Sequence, residues 1–192
     1  MIDGNYKTRL AVQRILRNCI MDGMSFYGIS GWGVMEFANA SFQSADSIIL
    51  MNMVRSSRVG WQSEKYSMKD IGDGSSGESG GVSLCRTDEF IEQQDWQIHT
   101  VKKRTADMNE HDILAEDMSG ILVTWFNGRG CDYFRKFGCA NLRIDSDSII
   151  VYNDDSGLYQ KRCVFTVKVQ VPKELTARQD VVELLIPDVM PI

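Results

Sequence analysis

Two histidines, His99 and His111, are the only imidazoles in the chain, and acid–base chemistry near neutral pH would start from them. Carboxylates gather in DEFIEQQD (88–95) and IDSDSIIVYNDD (144–155). Asp145, Asp147, Asp154 and Asp155 are oxygen donors of the kind that hold magnesium or calcium. Neither stretch has the glycine and terminal glutamate of a calcium loop, so turn and strand-edge roles are expected for them. No metal is predicted. No serine or cysteine sits in a GxSxG-type elbow. His99 falls in a predicted strand on the parity opposite Trp96 and Ile98, and His111 in the first turn of a predicted helix. The loop GDGSSGESGG lacks the lysine and Ser/Thr that complete a P-loop, and GISGWG (28–33) lacks the dinucleotide spacing. No catalytic residue and no cofactor are predicted, and a triad assembled from distant positions is the enzymatic route left open.

The five cysteines, Cys19, Cys85, Cys131, Cys139 and Cys163, are odd in number and scattered. Without CxxC or Cys/His spacing, buried free thiols are expected rather than disulfides or zinc. Net charge is −5, from 26 acidic against 21 basic residues, whereas a nucleic-acid module usually carries a basic surplus. The local cluster Lys102, Lys103 and Arg104 reads as a solvated strand end. No apolar run approaches the ~20 residues that cross a bilayer, and the polar MIDGNYKTRL start does not resemble a signal peptide. A chain that folds in a cytosol, with no membrane partner, is the expectation.

The elements that would position these residues follow from hydrophobic period. Residues 6–22 predict an amphipathic helix with Leu10, Ile15, Cys19 and either Val12 or Leu16 inward and Arg9, Arg14 and Arg17 outward. Gly23 is the predicted stop. The aromatic stretch 26–47 predicts an irregular or short-strand connection over the core. Residues 48–61 predict a long strand with Ile49, Met51, Met53, Val59 and Trp61 on one parity. A glycine- and serine-rich loop (71–83) separates it from a second extended segment, about 90–104, which makes a hairpin reaching beyond its own domain. Residues 108–127 predict a helix through Leu114, Met118, Ile121, Leu122, Trp125 and Phe126, capped by Asp107 and Glu110. CDYFRKFG (131–138) follows as a turn or short helix. ANLRID and SIIVYN precede QKRCVFTVKVQV (160–171), whose alternation of Cys163, Phe165, Val167, Val169 and Val171 is the plainest strand signal in the chain.

This order predicts one α+β domain over 1–172. It has an antiparallel or mixed sheet of about four strands, two main helices on one face and a long projecting hairpin. The tail, 173–192, has a helical-looking start and an apolar VVELLI run that would dock on the fold or on another subunit. The chain's four tryptophans, eight phenylalanines and six tyrosines exceed what such a core clearly needs, so part of them would serve an interface.

The N-terminal helix, SADSIILMNMVRSSRVGWQSEKY, DWQIHTVKKR, and a long helix before GRGCDYFRKFGCANLRIDSDSIIVYNDDSGLYQKRCVFTVKVQV together resemble the tail terminator, or neck terminator, proteins of long-tailed bacteriophages. The resemblance covers about residues 5–172. It implies a structural virion protein, a homohexameric ring that caps the head-proximal end of the tail tube and ends its polymerisation. Its partners would be copies of itself, tube and possibly sheath proteins, and head-completion or neck proteins, with DNA passing through unbound. It would be made in the host cytoplasm and reside in the virion. The hairpin flanks, Arg55, Arg58, Trp61, Lys102 and Arg104, and the tail residues Val181, Val182, Leu184, Leu185 and Ile186 are the expected interface, with core packing the alternative for Trp61. Other functions left open are another connector, head-completion or baseplate subunit, a small hydrolase joining His99 or His111 to Asp145 or Asp147, and a nucleic-acid module.

Overall fold

A computed structural model describes residues 7–36, 47–70, 82–103, 108–153 and 159–179. The fold is α+β. Helix α1 (Arg9–Phe26) is followed by strands β1 (Gly33–Glu36), β2 (Ser47–Asp70) and β3 (Val82–Lys103). Helices α2 (Ala115–Asn127) and α3 (Arg129–Lys136) come next, then β4 (Ala140–Asn153) and β5 (Tyr159–Gln179). Among the described residues the sheet has five strands in the order β1-β2-β3-β5-β4, one more than the four expected. The added strand is β1, paired parallel to β2 with Gly33 opposite Ile48 and Glu36 opposite Met51. Four residues are too few to show a period, so glycines and aromatics dominated that stretch of sequence. β4 and β5 pair antiparallel, which makes the sheet mixed.

The chain divides into two compact units. The larger, residues 7–59 and 91–172, holds all three helices. Its core joins Val12, Leu16, Cys19 and Ile20 of α1 to Met118, Leu122, Trp125 and Phe126 of α2 and Phe134 of α3. The strands supply Ile49, Met51, Trp96, Ile98, Phe165, Val167, Val169 and Val171 to the same core. Those strand residues keep one parity in each strand, so the helices cover one face of the sheet. Ile48, Leu50 and Val101, on the opposite parity, form a small separate cluster. The smaller unit takes in 60–90 and the chain from 173 onward, and its described residues are all strand.

Several boundaries differ from expectation: β2 runs on to Asp70 rather than 61, β3 starts at Val82 rather than near 90, and two helix ends move for local reasons. α1 does not stop at Gly23 but at Phe26. The stop is Gly28, in the left-handed region at φ 67, with Gly28 N–H donating to Ser25 O at 3.1 Å and Ile29 N–H to Met24 O at 2.8 Å. That pair is a Schellman motif. α3 ends the same way, at Gly138 (φ 66), with Gly138 N–H bonded to Arg135 O and Cys139 N–H to Phe134 O. α2 begins at Ala115 rather than near 108. Asp117, not Glu110, supplies the cap, its Oδ2 accepting from Leu114 N–H at 2.9 Å. Asp112 instead accepts from Asn109 N–H at 2.8 Å and closes a turn. His111 therefore lies in that turn and not in a helix.

β5 continues through Pro172 to Gln179, where the sequence suggested a helical start. Proline lacks the N–H a ladder needs, and the β4 register ends at Gln170, two residues earlier. One side of the strand there carries no β4 partner among the described residues, so Pro172 is accommodated.

Candidate interaction surfaces

In the smaller unit, β2 and β3 carry a ladder of opposite charges. Arg86 bonds Glu64 at 2.6 Å and Asp88 at 3.0 Å. Lys65 meets Glu89 at 2.6 Å, and Ser63 Oγ donates to Glu89. Pairing holds the Glu89 carboxyl below its ordinary range and raises Lys65 and Arg86 above theirs. All three groups face water, where such pairs add little to stability; their effect is to fix strand register. Tyr66 stands exposed among them, its hydroxyl on Glu64.

In the larger unit, Arg55 and Arg58 are exposed on β2, beside the exposed apolar residues Val54 and Val59. Lys102 is half-buried and bound within its own chain: Nζ donates to Ile113 O at 2.8 Å and lies 5.9 Å from the Trp32 ring centre. The side chain of Trp61, and residues Arg104, Val181, Val182, Leu184, Leu185 and Ile186, lie outside the described residues, as does the glycine-rich loop through 81.

The residues considered for chemistry are held by other partners. His99 is 6% exposed, and its Nδ1 accepts from Arg162 Nε at 2.7 Å. Burial, with the neighbouring guanidinium, pushes the imidazole down from 6.5 to about 4. His111 is exposed beside Glu110. Asp145 pairs with Lys168, which holds its carboxyl below the usual range. Asp147 stands opposite Phe165 in the β4–β5 register, but its side chain is outside the described set, as are Asp154 and Asp155. Among the described residues no three His, Cys, Asp or Glu side chains converge as a metal site. Cys19, Cys131, Cys139 and Cys163 are free thiols. Burial raises Cys19 to about 12, and Cys131 and Cys139 also rise.

The His99 shift has a checkable consequence. A folded-state pKa of about 4 against 6.5 means the unfolded chain binds more protons between those values, so stability falls as pH drops through that window and is intact above 6.5. Urea midpoints measured from pH 7.5 to 4.5 are expected to fall more steeply for the native chain than for His99→Gln, whose side-chain oxygen can still accept from Arg162. Parallel curves would place the proton sensitivity elsewhere.

One surface was misread in sequence. Val12, Leu16, Cys19, Ile20, Gly23 and Met24 are the buried residues of α1, while Leu10 is 55% exposed and Ile15 only partly buried. At about 100° per residue, Leu10 lies about 180° from Cys19, so the two cannot share a face. Leu10, Arg14, Arg17 and Met21 instead form one outward stripe, all exposed; the spacing i, i+4, i+7, i+11 was the signal that could have shown it.

Beside the end of α1, the exposed side of α2 borders a shallow groove of about 580 Å³ lined by Tyr27, Glu116, Asp117, Gly120, Ile121 and Thr124. Its Tyr27 wall is braced by aromatic packing: Tyr27 meets Phe26 edge-on at 5.1 Å and Trp125 at 6.3 Å. Arg129 lies 4.3 Å over the Phe26 ring, and Trp125, which Tyr27 packs against, donates from Nε1 to Cys19 O at 2.9 Å. Gly120 faces open space, and a Cβ there would meet nothing within 4 Å.

No family model matches the chain. No curated protein matches it. Among solved structures it is similar to a chain of a structure described as "Virion of native gene transfer agent (GTA) particle", at 8% identity, over 83% of this chain and 98% of that one, with a TM-score of 0.28.

Proposed function

We propose that this chain is a structural, non-enzymatic subunit of a tailed-phage particle that works by assembling with copies of itself, as a tail terminator does. In this role six copies close into a ring on the head-proximal end of the tail tube, stop its growth and receive the neck proteins. The observation that carries the proposal is the pair of neighbouring strands β2 and β3, 24 and 22 residues long. Their residues 60–70 and 82–90 fall in a unit whose described residues include no helix. With residues 173–179 of β5 they make up a unit that is all strand among the described residues. Strands without a helix of their own to pack on gain from a covering layer, and a neighbouring copy is a natural source of one. Apart from the short β1, the order helix, two long strands, helices, two strands is also the order on which the sequence resemblance rests. Closure of a head-to-tail contact by rotation gives a ring, and DNA crosses such a ring unbound unless it presents cationic groups.

The test is the solution mass of the purified protein, followed by imaging and a tube-capping assay. A species near six times 21.7 kDa that images as a ring and halts elongation of tail tubes is the expected result. Protein that neither forms a ring alone nor caps growing tubes overturns the proposal.

A further inference from the structure

We infer that the α2 groove is the seat for α1 of a second copy of this chain, an inference that rests on the self-assembly proposed above. The two surfaces match in chemistry. α1 offers Leu10, Arg14, Arg17 and Met21 along one outward face, apolar at both ends and cationic in the middle. The groove offers Glu116 and Asp117 together with the apolar Tyr27 and Ile121. Small residues at Gly120 and Thr124, one turn apart, let a helix backbone approach closely. This is helix-in-groove recognition read by i, i+4, i+7 anchors. Tyrosine is among the residues that dominate interface energies, and Tyr27 is 44% exposed here in spite of its ring partners.

The arginines alone would also suit DNA phosphates. Leu10 and Met21 decide against that occupant, because exposed apolar ends gain nothing on a phosphate backbone, and the chain as a whole is acidic at −5. Because the stripe and the groove are different patches of the chain, the contact is heterologous, so each copy uses one patch toward each neighbour.

That asymmetry supplies the experiment. Arg14→Glu/Arg17→Glu spoils the stripe and leaves the groove; Thr124→Arg fills the groove from an exposed position and leaves the stripe. Native mass and circular dichroism are measured for the native chain, each variant and an equimolar mixture. Each variant alone is expected to stay folded and run as one chain, with the concentration needed for assembly raised at least tenfold. The mixture is expected to give a two-chain species and nothing larger, since only one competent stripe and one competent groove can meet. A variant that assembles like the native chain overturns this contact and leaves the ring to be built through another surface. A native chain that remains single at all concentrations also overturns it, and tube capping then decides the proposed function separately. Duplex DNA retained by the native chain and lost in Arg14→Glu/Arg17→Glu, with mass unchanged, would make DNA the occupant instead.

Discussion

Phe126→Ala is expected to cost about 3–5 kcal/mol of folding stability, the range for emptying a buried aromatic site. Phe126 is fully buried and joins the following helix to a strand distant in sequence: its ring centre is 6.4 Å from Phe134 of α3 and 6.1 Å from Phe165 of β5. Removing it opens a cavity where helix meets sheet, and neither neighbour can collapse into the space without leaving its own contacts. Domains of ordinary size have about 5–15 kcal/mol in total, so the loss is a large share of what is present. Urea unfolding checks it: the midpoint should fall sharply with little change in slope. A loss below about 1 kcal/mol would mean that α2 does not pack on β5 through this residue.

Gly23→Val is expected to cost about 2–3 kcal/mol, against the usual gain on removing a helical glycine. Glycine inside a helix is worth about 1 kcal/mol less than alanine, so a bare propensity argument predicts stabilisation. The packing reverses the sign. A Cβ at Gly23 would lie 2.9 Å from Trp125 Cδ1 and Cγ, and the indole has no room to retreat. Its Nε1 is bonded to Cys19 O, and Gly130 also comes close, where a Cβ would stand 3.3 Å from Cδ1. Overfilling such a site costs about 1–3 kcal/mol and occasionally more. Gly120→Ala is the matched control. It lies within α2 over open space and should raise the thermal midpoint by the propensity gain at concentrations where the chain is single, since Gly120 also lines the contact proposed above. Equal behaviour of the two variants in thermal melts would remove Trp125 as the cause.

The sequence made some of this legible and hid the rest for identifiable reasons. The alternation of Cys163, Phe165, Val167, Val169 and Val171 announced β5 because one face is wholly buried and each residue is apolar. The face of α2 through Met118, Leu122, Trp125 and Phe126 was equally plain. α1 was harder, since apolar residues occur on both its faces and only their angular spacing separates Val12, Leu16 and Ile20 from Leu10 and Met21. Gly23 looked like a helix end because glycine serves both as a stop and as a place where another element comes close, and its partner, Trp125, lies far along the chain. The charge ladder of Glu64, Lys65, Arg86 and Glu89 could not be read at all, because it depends on the register between β2 and β3.

The strand order has a consequence for how the chain is made. β5 is the last described strand to be synthesised, yet it lies inside the sheet, between β3 and β4. A nascent chain therefore presents both flanks of a missing strand until residues near 171 have emerged. Two unpaired edges beside a half-covered apolar face are a setting in which strands pair with the wrong molecule. Closing the gap means joining β5 to β3 across the intervening helices, a contact distant in sequence and slow to find. Such a chain completes its sheet only once β5 has emerged, and a product truncated before β5 lacks the piece that would keep it from its neighbours.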